Sequence, residues 1–220
     1  MKSSQRVFLV SGSPDIDYKF LKYVKENIIN LKKDIIYAID KGLEVCDELK
    51  LPVAKIIGDF DSVNSNILKK YPKEKILRYS CDKDKSDTEL AVDIALEENF
   101  QEIIILNSEG GRLDHFIFNV LILSKKPYTI KILAPDGVLW ALQTETESIV
   151  ELKPKTIFSL IPLNKCIDVT LSGSKYELEK VTIEHSTLTL SNVANGEIRV
   201  SLKSGLLLFF TEELLYGKLN

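Results

Sequence analysis

The chain has 220 residues, of which 45% are hydrophobic and 28% charged, enough to bury a substantial core and too apolar for a disordered chain. Its 29 Lys and Arg against 32 Asp and Glu leave a formal charge of −3, which gives no broad basic field for a nucleic acid. Cys46, Cys81 and Cys166 fit neither a disulfide framework nor a zinc site, and no apolar run suits a signal-peptide core or a membrane span. A cytoplasmic protein with no membrane partner is the expectation.

From Arg6 to about Ala134, short β-branched runs alternate with stretches of helical spacing. Strands are predicted at RVFLVS, DIIYAI, AKIIG, KILRY, EIIIL and YTIKIL, and helices at DYKFLKYVKENI, KGLEVCDEL, VNSNILKKY, SDTELAVDIALEE and DHFIFNVLILS. This order implies an α/β domain with a mainly parallel sheet covered on both faces. After Pro135 come short strands broken by Gly, Pro, Asn and Ser: VLWALQ, ESIVEL, TIFSLIPL, CIDVTLSG, KVTIEH, TLTLSN, EIRVSL and GLLLFFT. They imply an all-β, sandwich-like C-terminal domain. The division is placed at 1–137 and 138–220.

In open α/β sheets ligands bind beyond the carboxyl ends of the strands, and the loops expected there are polar. AIDKG follows the second strand and carries Asp40 and Gly42. GDFDS follows the third, where an extended backbone would set Asp59 and Asp61 on one side and turn Phe60 inward. Such a pair suits Mg2+, which commonly takes one or two carboxylates plus substrate phosphates. In the alternative reading Asp61 or Ser62 caps the next helix and Asp59 makes a turn.

CDKDKSD places Asp82, Asp84 and Asp87 among Lys83 and Lys85. Ser86 and Glu89 form a capping box, which puts Asp87 in the first helical turn. In EGGRLDH, Gly110 and Gly111 permit close backbone approach to a ligand, Arg112 offers a planar fork for phosphate, and Asp114 caps a helix starting near His115. His115 reads as a helix-start residue. Neither G-x-x-x-x-G-K-[ST] nor G-x-G-x-x-G occurs, so the loops suggest a Mg-nucleotide held without either motif.

Taken in order, IIGDFDS, DKDKSDTELAVDIAL, GGRLDHFIFNVLIL, GSKYELE, the Ser191–Asn192 pair and SGLLLFF resemble thiamine pyrophosphokinase over nearly the whole chain. The resemblance implies transfer of the diphosphate of ATP to the hydroxyl of thiamine, giving thiamine diphosphate and AMP. It assigns ATP and Mg2+ to the first domain and thiamine to the second, and implies a homodimer with active sites at the subunit interface. Asp59, Asp61 and Asp87 match its acidic, Mg2+-associated positions; Asp87 either holds metal or orients the attacking hydroxyl. Asp40, Gly42, Lys83, Ser86, Gly110, Gly111, Arg112 and Asp114 fall on the nucleotide side, and Tyr176, Ser191 and Asn192 on the thiamine side. Lys41 replaces a glycine of the family's second-strand turn. Two rival readings of the same residues are an Asp-cluster metal-dependent phosphoesterase and a non-enzymatic thiamine or nucleotide sensor.

Overall fold

The computed structural model describes residues 5–82 and 84–214. Apolar runs of the first half form parallel strands β1 (Arg6–Val10), β2 (Ile35–Ile39), β3 (Val53–Gly58), β4 (Ile76–Arg78) and β5 (Glu102–Leu106). Their order is β5-β1-β2-β3-β4, and β6 (Ile130–Ala134) lies beside β5. All five residues of β1 are buried, as a strand covered on both faces requires. The helices are α1 (Tyr18–Asn27), α2 (Gly42–Glu48), α3 (Ser65–Leu68), α4 (Asp87–Glu97) and α5 (Leu113–Ile122). The helix predicted over 63–71 shrinks to the four residues of α3: Asn64 caps its start, and Pro72 bars helical continuation only at its far end.

Strand order decides where a ligand can sit. The chain builds β1 to β4 in one direction, then returns to place β5 on the other side of β1. Loops leaving β1 and β5 therefore diverge, and the crevice between them is the topological switch point of the sheet.

The second half is antiparallel: β7 (Gly137–Ala141), β8 (Ser148–Glu151), β9 (Ile157–Pro162), β10 (Cys166–Ser174), β11 (Leu178–Ile183), β12 (Asn192–Ser201) and β13 (Leu207–Thr211). The start of β12 pairs with β9, which continues through β13 to β7; the rest of β12 pairs with β10 and β8, and β10 with β11. Two sheets thus share one ten-residue strand. Trp140 and Phe158 stack on Phe209 with ring centroids 4.7 and 5.3 Å away.

One predicted strand is absent. TLTLSN is a turn up to Ser191, where Leu190 N donates to Thr187 O at 3.0 Å. Its alternation is inverted: Thr189 is buried, donating Oγ1 to Leu160 O, while Leu188 and Leu190 are exposed. Ser191 has φ +53, which ends the turn, and its neighbour Asn192 begins β12.

The chain forms two compact units. Among the described residues, one holds those up to Ile122 with Ile132–Pro135; the other holds Leu123–Lys131 and residues 136–214. The fold is α/β followed by an antiparallel, strand-rich region.

Candidate active site

Three loops leaving the parallel sheet contain a non-glycine residue in the left-handed region: Asp40 (φ +45), Phe60 (φ +64) and Asn107 (φ +54). Such backbone costs on the order of 1–3 kcal/mol per residue, persists only where its surroundings impose it, and clusters at functional sites. Here those surroundings are polar side chains reaching between loops.

Asp40 is the centre of an acidic cluster. Its Oδ1 accepts Phe60 N at 3.4 Å, and its carboxyl bonds to that of Asp87. Burial first, and then Asp87, push the Asp40 carboxyl up to about 7; Asp59 adds repulsion and the Phe60 N–H opposes it. A Cβ on Gly58 would lie 2.0 Å from Asp40 Oδ1, so the glycine opening GDFDS leaves room for that carboxylate. Asp87 stands in the first turn of α4, and Ser86 caps that helix by accepting Glu89 N at 3.2 Å. The Ser86 half of the capping box expected from the sequence is thus present.

The GDFDS loop is not extended. β3 ends at Gly58, and the left-handed Phe60 curls the chain, although its ring is buried as expected. Asp59 Oδ1 accepts Asp61 N at 3.1 Å, a local turn, while Asp61 itself is exposed. Asn64 caps α3 through Asn66 N at 2.9 Å, so neither Asp61 nor Ser62 is its cap. Among the described residues no three His, Cys, Asp or Glu converge to enclose an ion by themselves. A divalent cation nevertheless suits the donor set. Asp40 and Asp87 press together with Asp59 near, and hard divalent cations take carboxylate oxygens as ligands.

At the switch point, the loop SGSPD after β1 meets the glycine loop after β5. Asn107 Nδ2 donates to Ser11 O at 2.9 Å and Ser13 O at 3.2 Å, Ser13 Oγ donates to Glu109 O, and Gly111 N donates to Asp15 Oδ2 at 2.8 Å. Gly110 (φ +84) and Gly111 (φ +65) need the left-handed freedom of glycine, and a Cβ on either would strike Asp15 or Pro14 within 2.8 Å. Sequence reading did not single out residues 11–15. The available signal was a Ser-Gly-Ser-Pro-Asp run directly after a strand; its importance rests on strand order, which local patterns do not carry.

Other expected site residues fall differently. Gly42 is buried in the first turn of α2, where a Cβ would sit 1.9 Å from Val10 O; its lack of a side chain serves helix packing on β1. Lys41 is exposed ahead of it. Arg112 precedes α5, and Asp114 lies inside its first turn instead of capping it. The two form a bidentate pair at 3.1 and 2.6 Å, which holds the Asp114 carboxyl below its usual range. Lys83 lies outside the described residues.

In the β unit, Tyr176 is 57% exposed, with Lys175 Nζ 5.0 Å from its ring centroid. Asn192 is buried, and its amide is fully engaged: Oδ1 accepts Tyr176 N and Val193 N, while Nδ2 donates to Ser174 Oγ and Tyr176 O. Ser191 is exposed, its N–H donating to Ser159 Oγ at 2.9 Å.

Residues 27–134 match the family model "Thiamin pyrophosphokinase, catalytic domain", and residues 146–207 match "Thiamin pyrophosphokinase, vitamin B1 binding domain". The chain is 31% identical to the thiamine pyrophosphokinase of Bacillus subtilis over 161 residues, 70% of this chain and 75% of that protein. The chain belongs to the thiamin pyrophosphokinase family. A Caenorhabditis elegans thiamin pyrophosphokinase is 30% identical over 173 residues, 72% of this chain and 69% of that protein. The crystal structure of the Bacillus subtilis thiamine pyrophosphokinase superposes with a TM-score of 0.76 at 26% identity, covering 94% of this chain and 98% of that one. Both family models fall on the two compact units, the first largely on the α/β unit and the second within the β unit. Membership of the thiamin pyrophosphokinase family makes the protein an enzyme and leaves the phosphoesterase and sensor readings without support.

Proposed function

We propose that the α/β unit holds ATP with Mg2+ and the β unit presents thiamine, for the family's reaction: the diphosphate of ATP passes to the hydroxyl of thiamine, giving thiamine diphosphate and AMP. The observation that carries this reading is the pairing of the Asp40 carboxyl with that of Asp87 beyond the carboxyl ends of the parallel strands, with Asp59 near enough to raise Asp40 further.

Asp59, Asp61 and Asp87 would hold Mg2+, with Asp40 as a fourth carboxylate beside them. Bound there, Mg2+ would supply positive charge to offset the negative charge that develops on phosphate during transfer. The remaining work is positioning. Ser86 fixes the start of α4 and so the placement of Asp87. The β1 loop fixes Gly110 and Gly111, letting the backbone before Arg112 come close to phosphate. Arg112, exposed and paired with Asp114 two residues on, would exchange that carboxylate for phosphate oxygens. Tyr176 offers its ring to the thiamine heterocycles and Ser191 its hydroxyl. Asn192 holds the Tyr176 turn from below, its hydrogen-bonding groups all engaged within the chain.

A homodimer with active sites at the subunit interface is part of this reading. Leu113, Ile117 and Phe118 on α5 are 71%, 50% and 62% exposed, an apolar face suited to a second copy of the chain. We place the reaction in the cytoplasm on the strength of three free cysteines, two of them buried; no helix among the described residues is long and apolar enough to cross a membrane. The direct test is AMP release with ATP, Mg2+ and thiamine. AMP should form only when thiamine is present; thiamine-independent phosphate release would overturn the reading.

A further inference from the structure

We infer that Arg78, on strand β4 and outside the acidic motif, is the positioning residue for the Asp59–Asp61 loop and sets the concentration of Mg2+ that the enzyme requires. This rests on the proposed metal role of Asp59 and Asp61.

β3 and β4 are in register with Gly58 opposite Arg78, and Tyr79 N donates to Gly58 O at 3.0 Å as the last backbone tie between the two strands. Beyond it the GDFDS loop leaves the sheet. Arg78 follows it out: Nη1 donates to Asp59 O, and Cζ lies 4.8 Å from the centroid of the Phe60 ring. One guanidinium therefore holds the carbonyl of one residue and the ring face of the next. Those two residues flank the peptide whose orientation aims the Asp59 carboxylate, and Asp59 Oδ1 in turn holds Asp61 N. On its opposite side the loop is tied by the long 3.4 Å bond from Phe60 N to Asp40 Oδ1. Because Phe60 sits in the left-handed region, the loop relaxes toward ordinary backbone once one restraint goes. A planar guanidinium can stack and donate at once; a lysine ammonium does each less well.

Charge and position predict opposite outcomes. If Arg78 acted only as a cation near carboxylates, removing it would deepen the negative potential and lower the Mg2+ requirement. As a positioning residue, its removal raises that requirement.

The experiment compares wild type, Arg78→Met and Arg78→Lys, with Asp61→Asn alongside. Two quantities are read: the Mg2+ concentration giving half-maximal AMP formation, and amide hydrogen exchange of residues 58–62 in metal-free protein. Arg78→Met should raise half-saturating Mg2+ about five-fold, the scale of one exposed cation–π contact with a hydrogen bond, and change it more than the rate at saturating Mg2+. Exchange in the loop should quicken about five-fold on the same grounds while β1 and β5 stay protected, with Arg78→Lys between the two. An unchanged or lowered Mg2+ requirement in Arg78→Met, or unchanged exchange, overturns the role of Arg78. If Asp61→Asn alters the Mg2+ dependence in that case, only the Arg78 inference fails. If Asp61→Asn leaves it unaltered, the metal reading fails and this inference with it.

Discussion

Asparagine at position 40 would imitate a protonated Asp40, keeping an oxygen for Phe60 N and offering an N–H to Asp87. In the metal-free protein this substitution should stabilise the fold at alkaline pH. The carboxyl is raised from 3.8 to about 7, burial being the larger cause and Asp87 the next. At about 1.4 kcal/mol per unit the full shift corresponds to roughly 4 kcal/mol, and solvent screening of a half-buried group reduces this to about 2 kcal/mol. Because the folded-state value lies above the unfolded one, the stabilising contribution is complete below the unfolded value and is lost as pH rises through about 7. Asp40→Asn should therefore melt about 4–8 °C above wild type at pH 8, and the gap should shrink to about half by pH 5. Thermal melts in chelator at both pH values measure it. Adding Mg2+ should narrow the gap at pH 8 by stabilising wild type preferentially, while the variant loses activity. Equal melting temperatures at pH 8, or a gap indifferent to pH, would show that Asp40 and Asp87 do not crowd one another and would remove the structural basis for a cation between them.

Asp61→Asn should lower diphosphate transfer by about 10²-fold or more at moderate Mg2+, as expected on losing a preorganised electrostatic contact, with thiamine affinity little changed; both are read from steady-state kinetics. Gly42→Ala should cost about 3 kcal/mol or more, since its new methyl meets Val10 O at 1.9 Å; a melting temperature within 2 °C of wild type would contradict the packing role. Tyr176→Ala should raise the thiamine KM without lowering stability, whereas Asn192→Ala should raise the same KM and also destabilise by about 1–3 kcal/mol, because Tyr176 N and O lose their partner. Phe118→Asp on α5 should turn a dimer into a monomer by light scattering if that face meets a second copy.

Much of the fold was legible because it follows from local period. Strands such as EIIIL and helices such as SDTELAVDIALEE carry their own signals, and the Ser86 cap was readable from residue spacing alone. Three features were not legible, each for a reason of longer range. TLTLSN alternates like a strand, but Thr189 finds a buried carbonyl on Leu160 and the leucines turn outward. Gly42 looked like a ligand-facing glycine, yet Val10 of another strand occupies the space its side chain would need. The part played by residues 11–15 depends on β5 returning beside β1, a fact of topology that no window of sequence contains.

The strand shared by the two β-sheets has a consequence for how the second unit comes apart. At Asn192 and Val193, β12 pairs with Phe158 and Ile157 in one sheet; from Ala194 it pairs with β10 in the other. The amide that secures Tyr176 therefore lies on the seam where the sheets become one. Neither sheet can open at that seam without releasing the aromatic ring, and the ring's turn cannot be freed without exposing the seam. The placement of the Tyr176 turn and the junction of the two sheets are thus coupled through one side chain, and local opening at Asn192 loosens both together.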